Sequence, residues 1–572
     1  MWLVSLPITK EEQEQWPELH PVVLQLLKNR GLNTQEQVDE FLQPDYSKDI
    51  HDPYLFQDMQ KAVERVYRAI AKQEKIVIHG DYDADGVCST AVLVTILRQL
   101  GAKNISVYIP NRLTEGYGLN MNTVDELISR GENLVITCDC AISNVEEIKT
   151  LQAKNVDVIL TDHHQAQAEL PPAFAIINPT VKNDKYPFEL LAGSGVAWKL
   201  AQGLLRSEQC PFNEKEREGM EKWLLDLVAI STITDMVPLI GENRTIVKYG
   251  LIVLKKTKRL GLKSLCDISN SKVDEIDTQV IGWRLGPRLN AAGRVDHANG
   301  AYELLMADNE AEAKTLAQSL QDNNTDRQKQ TDQMLSEAMA QIGEVNNDQK
   351  VLVAFGEDWS TGLIGLVAGR LMDRFHRPAF AMGKVEGKIV GSCRSIDGFD
   401  IAENLEAGKK FLTRFGGHKK AGGFTLDPEN YDAWVKWLKK TADKKLTDAD
   451  LENKEAIEMI VNLKDVNWEL WDQLEKFEPF GEGNLEPTLA VKGVKLVDKQ
   501  FVGADGKHVR LFISEEGNPK LYKVMAFSSA ERLADFRSGD IVDVAFTVNI
   551  NQWNGNREIQ LKLVDIIKNS LS

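Results

Sequence analysis

No run in this chain of 572 residues approaches the ~18 uncharged apolar residues of a transmembrane helix, so no membrane span is expected. The six cysteines form no CxxC pair, and Cys138-x-Cys140 is too close for the usual zinc spacing. They read as buried free thiols in a reducing compartment, which places the protein in the cytoplasm. The opening MWLVSLPITKEEQEQ has no basic region ahead of its short apolar stretch, so no signal peptide is expected. Net positive charge is missing as well: at −17 the chain is not coated with basic patches. Histidine is scarce, nine residues in all, which makes the position of each one informative.

What remains is an ordinary globular composition, 43% apolar and 27% charged. At roughly 150 residues per domain, the length leaves room for about three or four domains. The acid is unevenly spread. Residues 427–488 carry 8 basic against 16 acidic residues, whereas residues 490–572 carry 12 against 10. An acidic connector therefore precedes a mildly basic C-terminal module.

From 75 to 180 strand-like and helix-like segments alternate: KIVIH, VCSTAVLVTILRQLG, NISVYIP, MNTVDELISRG, NLVITCD, NVEEIKTLQAKN, DVILTD and AFAIINP. This βαβ rhythm implies a parallel sheet covered by helices on both faces. Residues 190–305 read as mostly helical with Gly-rich interruptions, and 306–342 as a long, solvated connecting helix. A second α/β rhythm starts at KVLVAFG and runs to about 445. Beyond it, short alternating strands with turn residues between them have the pattern of a small antiparallel barrel, an OB-fold. The expected division is 1–50 as an N-terminal extension, 51–305 catalytic, 306–345 connecting helix, 346–445 second α/β domain, and 446–572 acidic connector and barrel.

The segment HGDYDADG (79–86) carries three acids and a histidine directly after the first strand. Its Asp81-x-Asp83-x-Asp85 spacing invites an EF-hand reading. Counted from Asp81, however, the twelfth position is Val92 rather than a bidentate Glu, and a strand precedes the loop rather than a helix. The EF-hand reading fails on both counts. Asp139 ends the strand NLVITCD. Asp162, His163 and His164 end DVILTD, and Asp235 follows LLDLVAISTIT. Ligand sites on open α/β sheets lie beyond the carboxyl ends of the strands. Four segments thus converge on one sheet edge. Carboxylates and imidazoles without thiolates favour Mn²⁺ or Mg²⁺ over structural zinc, and two such ions suit in-line phosphoester hydrolysis.

DYDADG, TCDCAIS, TDHH and TDMVPL resemble, in order, the motifs of the DHH phosphoesterase superfamily. GPRLNAAGR (286–294), GSCRSIDGFD (391–400) and GGHKKAGG (416–423) resemble its exonuclease branch with a DHH-associated domain, and FEPFGEGNLEP (477–487) leads into that branch's OB-fold. The resemblance spans essentially the whole chain. It implies a 5′→3′ exonuclease specific for single-stranded DNA, acting in bacterial recombination and repair. The enzyme would be a monomer with two divalent cations, and a single-strand-binding protein and a helicase would be its partners. One cation would take His79, Asp83 and Asp139; the other would take Asp85, Asp139, His163 and Asp235, with Asp139 bridging. Asp81, Asp162 and His164 would orient ligands or face the phosphate. Two positions depart from the family pattern: Ala141 stands where Gly is usual, and Ser360 follows Trp359 where His is usual.

On the substrate side, Arg288, Asn290 and Arg294 lie in a Gly-rich stretch read as poor in helix, Arg394 in a short polar segment, and His418 between Gly pairs. Guanidinium groups chelate phosphate, and glycines let backbone N–H groups approach it. The resemblance implies that Arg112, Arg288, Ser392 and Arg394 hold the 5′-terminal phosphate. In the barrel Phe501, Phe512, Tyr522, Phe527, Phe546 and Trp553 alternate with Lys507, Arg510, Lys523 and Arg557. Most of these aromatics must be core; Trp553, in the turn-like NQWNGN, is the one expected to stack on a base. A phosphodiesterase for short RNA or cyclic dinucleotides would share the metal site but has no need of the barrel. A scaffold with a decayed site would not keep His79, Asp83, Asp85, Asp139, His163 and Asp235.

Overall fold

The computed structural model describes residues 2–569 apart from 113, 504, 518, 519, 554 and 555, and excludes the side chains of 552, 553 and 556. The chain forms two compact bodies. One comprises residues 50–237 and 249–452; the other comprises 1–49, 238–248 and 453–572.

The larger body holds a parallel sheet in the order Ile105–Tyr108, Ile76–His79, Leu134–Cys138, Asp157–Thr161, Ala175–Ile177. Three of its strands, IVIH, LVITC and DVILT, are almost wholly buried, as expected when helices cover both faces. The register sets His79 beside Thr137 and Cys138 beside Thr161, so the three strands end at one level. The helix Ala84–Gln99 is apolar on nearly every side. It is enclosed by the sheet and by the helices Gly193–Arg206 and Leu225–Thr234.

A second sheet follows in the order Arg414–Gly417, Ala421–Leu426, Lys388–Arg394, Ala379–Val385, Leu352–Phe355. Only its last pair is parallel. Trp434, Phe380 and Phe424 fill its core.

Three local readings from the sequence change here. Residues 286–295 are a helix preceded by a π-turn, Ile281–Leu285, not a helix-poor stretch. Its glycines serve close packing: a Cβ on Gly286 would lie 2.4 Å from Thr234 Cγ2, and one on Gly293 2.3 Å from the Tyr82 carbonyl. The connecting helix, Glu310–Ile342, is not solvated all round. Ala313, Ala317, Leu320, Asn324, Thr331, Met334 and Ala338 form a buried stripe at three- and four-residue spacing. Small and polar residues in that stripe give little hydropathy contrast, which is why the sequence conceals it. Arg394 is the last residue of a strand, with Ser392 two positions earlier on the same face.

In the smaller body the strands Leu489–Val502, His508–Ser514, Tyr522–Ala526, Asn556–Lys568 and Ile541–Trp553 are neighbours in that order, and the first also pairs with the last. This is the OB-fold. Its core also takes Val23, Leu26, Leu27, Val38 and Phe41, and the strand Trp2–Val4 pairs in parallel with Glu455–Ile457. The N-terminal residues and the barrel therefore share one hydrophobic body rather than two. Arg244 clasps it from within: its buried guanidinium donates to the carbonyls of Phe41 (2.8 Å), Phe477 (3.0 Å) and Glu478 (2.8 Å). Phe41 stacks under it at 3.9 Å.

Candidate metal centre and anion-binding residues

His79 closes its strand fully buried, and burial brings its imidazole down to about 4, so the ring is neutral. Its Nε2 has no hydrogen-bond partner. Asp83 caps the helix Ala84–Gln99, its Oδ1 accepting from the N–H of Asp85 (2.9 Å) and Gly86 (3.1 Å), which leaves the other oxygen free to face the site. Asp85 is gripped from behind by the N–H groups of Gly193 and Ser194, both at 2.7 Å, and by the Ser231 hydroxyl. Those two N–H groups open the helix Gly193–Arg206, a fitting seat for a carboxylate. A Cβ on Gly193 would lie 2.6 Å from that of Asp139, so only glycine fits there.

Asp139 adopts a left-handed backbone with φ 61°, a conformation Asp tolerates better than most residues. Ala141 shares that conformation at φ 85°. This is the physical reason glycine is usual there, and alanine carries strain. His163 Nε2 lies 3.2 Å from Asp139 Oδ1, 3.6 Å from Asp235 Oδ2 and 3.8 Å from Asp85 Oδ2.

Three sets each bring one ligand atom per residue within 4.8 Å of one another: Asp81, Asp83 and Asp139; Asp85, His163 and Asp235; Asp139, His163 and His164. Asp139 belongs to two of them. Asp81, which the sequence left outside the ligands, joins Asp83 and Asp139 in the first set; His79 is in none of the three, although its Nε2, like Asp81 Oδ1, is buried without a partner.

The electrostatics fit divalent cations. Burial, followed by the facing carboxylates, raises Asp81 and Asp139 well above the ordinary range. Burial and the charges of Asp85 and Asp83 push Asp235 up to about 9. His79 Nε2, Asp81 Oδ1, Asp139 Oδ1 and His163 Nε2 are all buried with no hydrogen-bond partner. Neutral imidazoles and crowded acids with orphaned lone pairs are what a pair of hard cations would satisfy.

Of the two parts the sequence left open for Asp162, orienting the ligands or facing the phosphate, its contacts match the first. It is fully buried, with one oxygen accepting from His163 N (2.8 Å), His164 N (3.0 Å) and His164 Nδ1 (2.8 Å), and the other from Ile142 N (3.0 Å). It is a bracket that orients both histidines. Burial opposes protonation of His164, but the hydrogen bond and charge of Asp162 lift it to about 9. Tyr117, which the sequence reading missed, donates to the Asp139 carbonyl at 3.0 Å and meets His164 Nδ1 at 3.0 Å. The signal available for it was an aromatic between two glycines, Gly116 and Gly118, both at positive φ.

Of the cations proposed for substrate, Arg112, Arg294 and Arg394 gather in one electrostatic neighbourhood with Asp83. Arg112 lies 4.9 Å over the Tyr82 ring. Burial, then the charges of Arg112 and Arg327, brings Arg294 down to about 10. Arg394 Nη1 reaches Ser392 Oγ at 3.4 Å. Arg288 is engaged elsewhere, donating to Gln321 Oε1 (2.8 Å) and the Arg284 carbonyl (2.6 Å). Asn290 spends its Oδ1 on the N–H of Ala84 at 2.7 Å, tying its helix to the first motif. His418 is exposed in the turn between two strands.

In the barrel, Phe546 and Tyr522 are core, while Phe501 and Phe527 are 56% and 49% exposed. His508 meets Phe527 edge-on at 5.6 Å, and Lys499 lies 5.6 Å over Phe501. Lys507 and Lys523 are engaged in ion pairs with Asp505 and Glu558. The side chain of Trp553 lies outside the described residues.

Three stretches match known families: residues 75–232 the DHH family, N-terminal domain; 348–444 the DHHA1 domain; and 457–565 the RecJ OB domain. The chain is 37% identical over 568 residues to the single-stranded-DNA-specific exonuclease RecJ of Bacillus subtilis (strain 168), covering 99% of this chain and 70% of that protein. To the Escherichia coli (strain K12) protein of the same name it is 31% identical, covering 96% of each. It superposes on the crystal structure of RecJ in complex with Mn²⁺ from Thermus thermophilus with a TM-score of 0.83 and 28% identity. That match covers 100% of this chain and 80% of that one. A crystal structure of the Thermus protein in complex with Mg²⁺ matches with a TM-score of 0.76 at 25% identity, covering 100% of this chain and 78% of that one.

Proposed function

The chain belongs to the RecJ family, and on that premise we propose that it is a single-stranded-DNA-specific exonuclease, working from the 5′ end in recombination and repair. The observation that carries the reading is the sheet edge itself, where three overlapping sets of carboxylates and imidazoles converge and four ligand atoms from three segments are buried without a hydrogen-bond partner. His79, Asp81, Asp83 and Asp139 would hold one Mn²⁺ or Mg²⁺, and Asp85, Asp139, His163 and Asp235 a second. Bound cations supply an activated water and charge stabilisation for in-line displacement.

The chain's own residues do the rest. Gly193, Ser194 and Ser231 lock Asp85, and Asp162 fixes His163 and His164. The half-exposed His164 ring, kept cationic by Asp162, offers a proton-bearing nitrogen to the phosphate. Arg112, Ser392 and Arg394 take the terminal phosphate, which carries more charge than an internal diester because its second ionisation lies near pH 6. That preference for a terminus sets the direction. Phe501 and Phe527 hold bases along the barrel. Among the described residues no helix is long and apolar enough to cross a membrane. All six cysteines are free and buried, which suits the cytoplasm. There the enzyme acts as a monomer on strands exposed by a helicase and covered by a single-strand-binding protein.

The test is Mn²⁺-dependent digestion of 5′- and 3′-labelled single strands, with duplex and a cyclic dinucleotide as controls. The 5′ label should leave first as a mononucleotide, and both controls should persist. Release from the 3′ end, or equal digestion of duplex, would overturn the reading.

A further inference from the structure

A cavity of about 260 Å³ opens between the connecting helix and the helix Ile364–Phe375, lined by Arg327, Thr331, Gly365, Arg370, Asp373 and Arg394. That is far more than the ~10–15 Å³ that admits a single water. Arg394 is the wall it shares with the terminal-phosphate residues. A Cβ on Gly365 would lie 3.1 Å from Ser392 Oγ and 3.4 Å from Arg394 Nη2, so the cavity adjoins both contacts.

Its cations are under-compensated. Arg370 pairs with Asp332, but Arg327 forms no ion pair among the described residues, and its Nε is buried without an acceptor. Burial, then the charges of Arg370 and Arg288, holds the Arg327 guanidinium below its ordinary value. The one carboxylate in the lining is Asp373, at the exposed rim. A buried N–H without an acceptor is costly, and clustered guanidiniums repel. An anion in the cavity relieves both. Arg112, Ser392 and Arg394 already account for a terminal monophosphate, so the extra space and the extra cation suit phosphates attached beyond it.

We propose that this cavity is a subsite for the outer phosphates of a 5′-triphosphorylated strand end, with Arg327 as the residue that grants it entry. The proposal rests on the 5′-end reading above. Chemically the step is the ordinary hydrolysis. Water oxygen bonds to the phosphorus of the second nucleotide, the bond from that phosphorus to O3′ of the first breaks, and O3′ takes the proton. The first product is a nucleoside 5′-triphosphate, and the shortened strand carries a 5′-monophosphate.

The experiment compares first-nucleotide release from matched oligonucleotides with a 5′-triphosphate or a 5′-monophosphate, labelled in the first nucleotide. Wild type, Arg327→Ala and Arg327→Lys are each measured. Wild type should use the two ends within about tenfold of each other and release a nucleoside triphosphate. Arg327→Ala should lower the triphosphate rate at least about tenfold more than the monophosphate rate, the scale of one charge-assisted contact. Arg327→Lys should recover part of that loss. Rejection of triphosphate ends by wild type beyond tenfold, a different first product, or a smaller differential loss would overturn the subsite. Monophosphate use by the same variant reports its folding; if Arg327→Ala does not fold, Arg370→Ala is read by the same ratio. A wild type that does not start at the 5′-monophosphate would instead sink the 5′-end reading.

Discussion

At the metal centre the carboxylates are buried and gripped by backbone, Asp83 by a helix N-terminus and Asp85 by another, while the half-exposed His164 is held by the buried Asp162 side chain. On the barrel, Phe501 and Phe527 stand about half exposed, with Lys507 paired to Asp505 and Lys499 laid over the Phe501 ring. A buried polar site must satisfy every lone pair, so its residue types and spacing are tightly constrained and leave dense motifs in the sequence. An exposed stacking face needs only an aromatic surface somewhere along a strand, and the alternation that makes the strand hides which aromatic that is.

Substitutions at the two regions can break or sharpen this contrast. The largest effect belongs to Asp139→Ala. Even partners of metal ligands are worth about 10- to 100-fold, so loss of the shared ligand should cut turnover by more than about a hundredfold. Circular dichroism and binding of a long strand should change little. Survival of more than a few per cent of activity would remove Asp139 from the bridge.

Next is Arg394→Ala, between the two regions in exposure. It should lower kcat/KM on 5′-phosphorylated strands by about 10- to 150-fold relative to 5′-hydroxyl strands. Equal losses on both would make it a general backbone contact.

For the barrel, a truncation near residue 460 is unsuitable, because Val23, Leu26 and Phe41 would lose their core partners. Phe501→Ala and Phe527→Ala serve instead. Each should weaken binding of a long strand by roughly 1–3 kcal/mol while short oligonucleotides are cleaved as before. Unchanged affinity in both variants would move the strand off this face.

The smallest effect is expected at Ala141→Gly. Relief of left-handed strain, about 1 kcal/mol or more, is partly offset by the lost buried methyl, about 0.8 kcal/mol. A modest rise in the thermal midpoint should follow. A clear fall would show that the methyl's packing outweighs the strain.

Sequence alone determined a great deal. Buried β-branched runs dictate the parallel sheet, and the ends of those runs dictate that His79, Asp139, Asp162 and His163 share an edge. Local patterns of period two likewise dictate the barrel strands. What only the tertiary structure decided is which atoms face one another. Asp81 joins the ligand groups, and Asp162 orients the histidines instead of facing the phosphate, because the fold, not the spacing, sets side-chain direction. Residues 286–295 are helical because their glycines accept close neighbours at Thr234 and Tyr82, contacts made across distant segments. Arg327 sits in a helix that reads as solvated, and only the packing of that helix shows its Nε buried beside Arg394's cavity. Hydropathy and spacing are properties of neighbours along the chain, whereas burial, strain and unsatisfied hydrogen bonds are properties of neighbours in space.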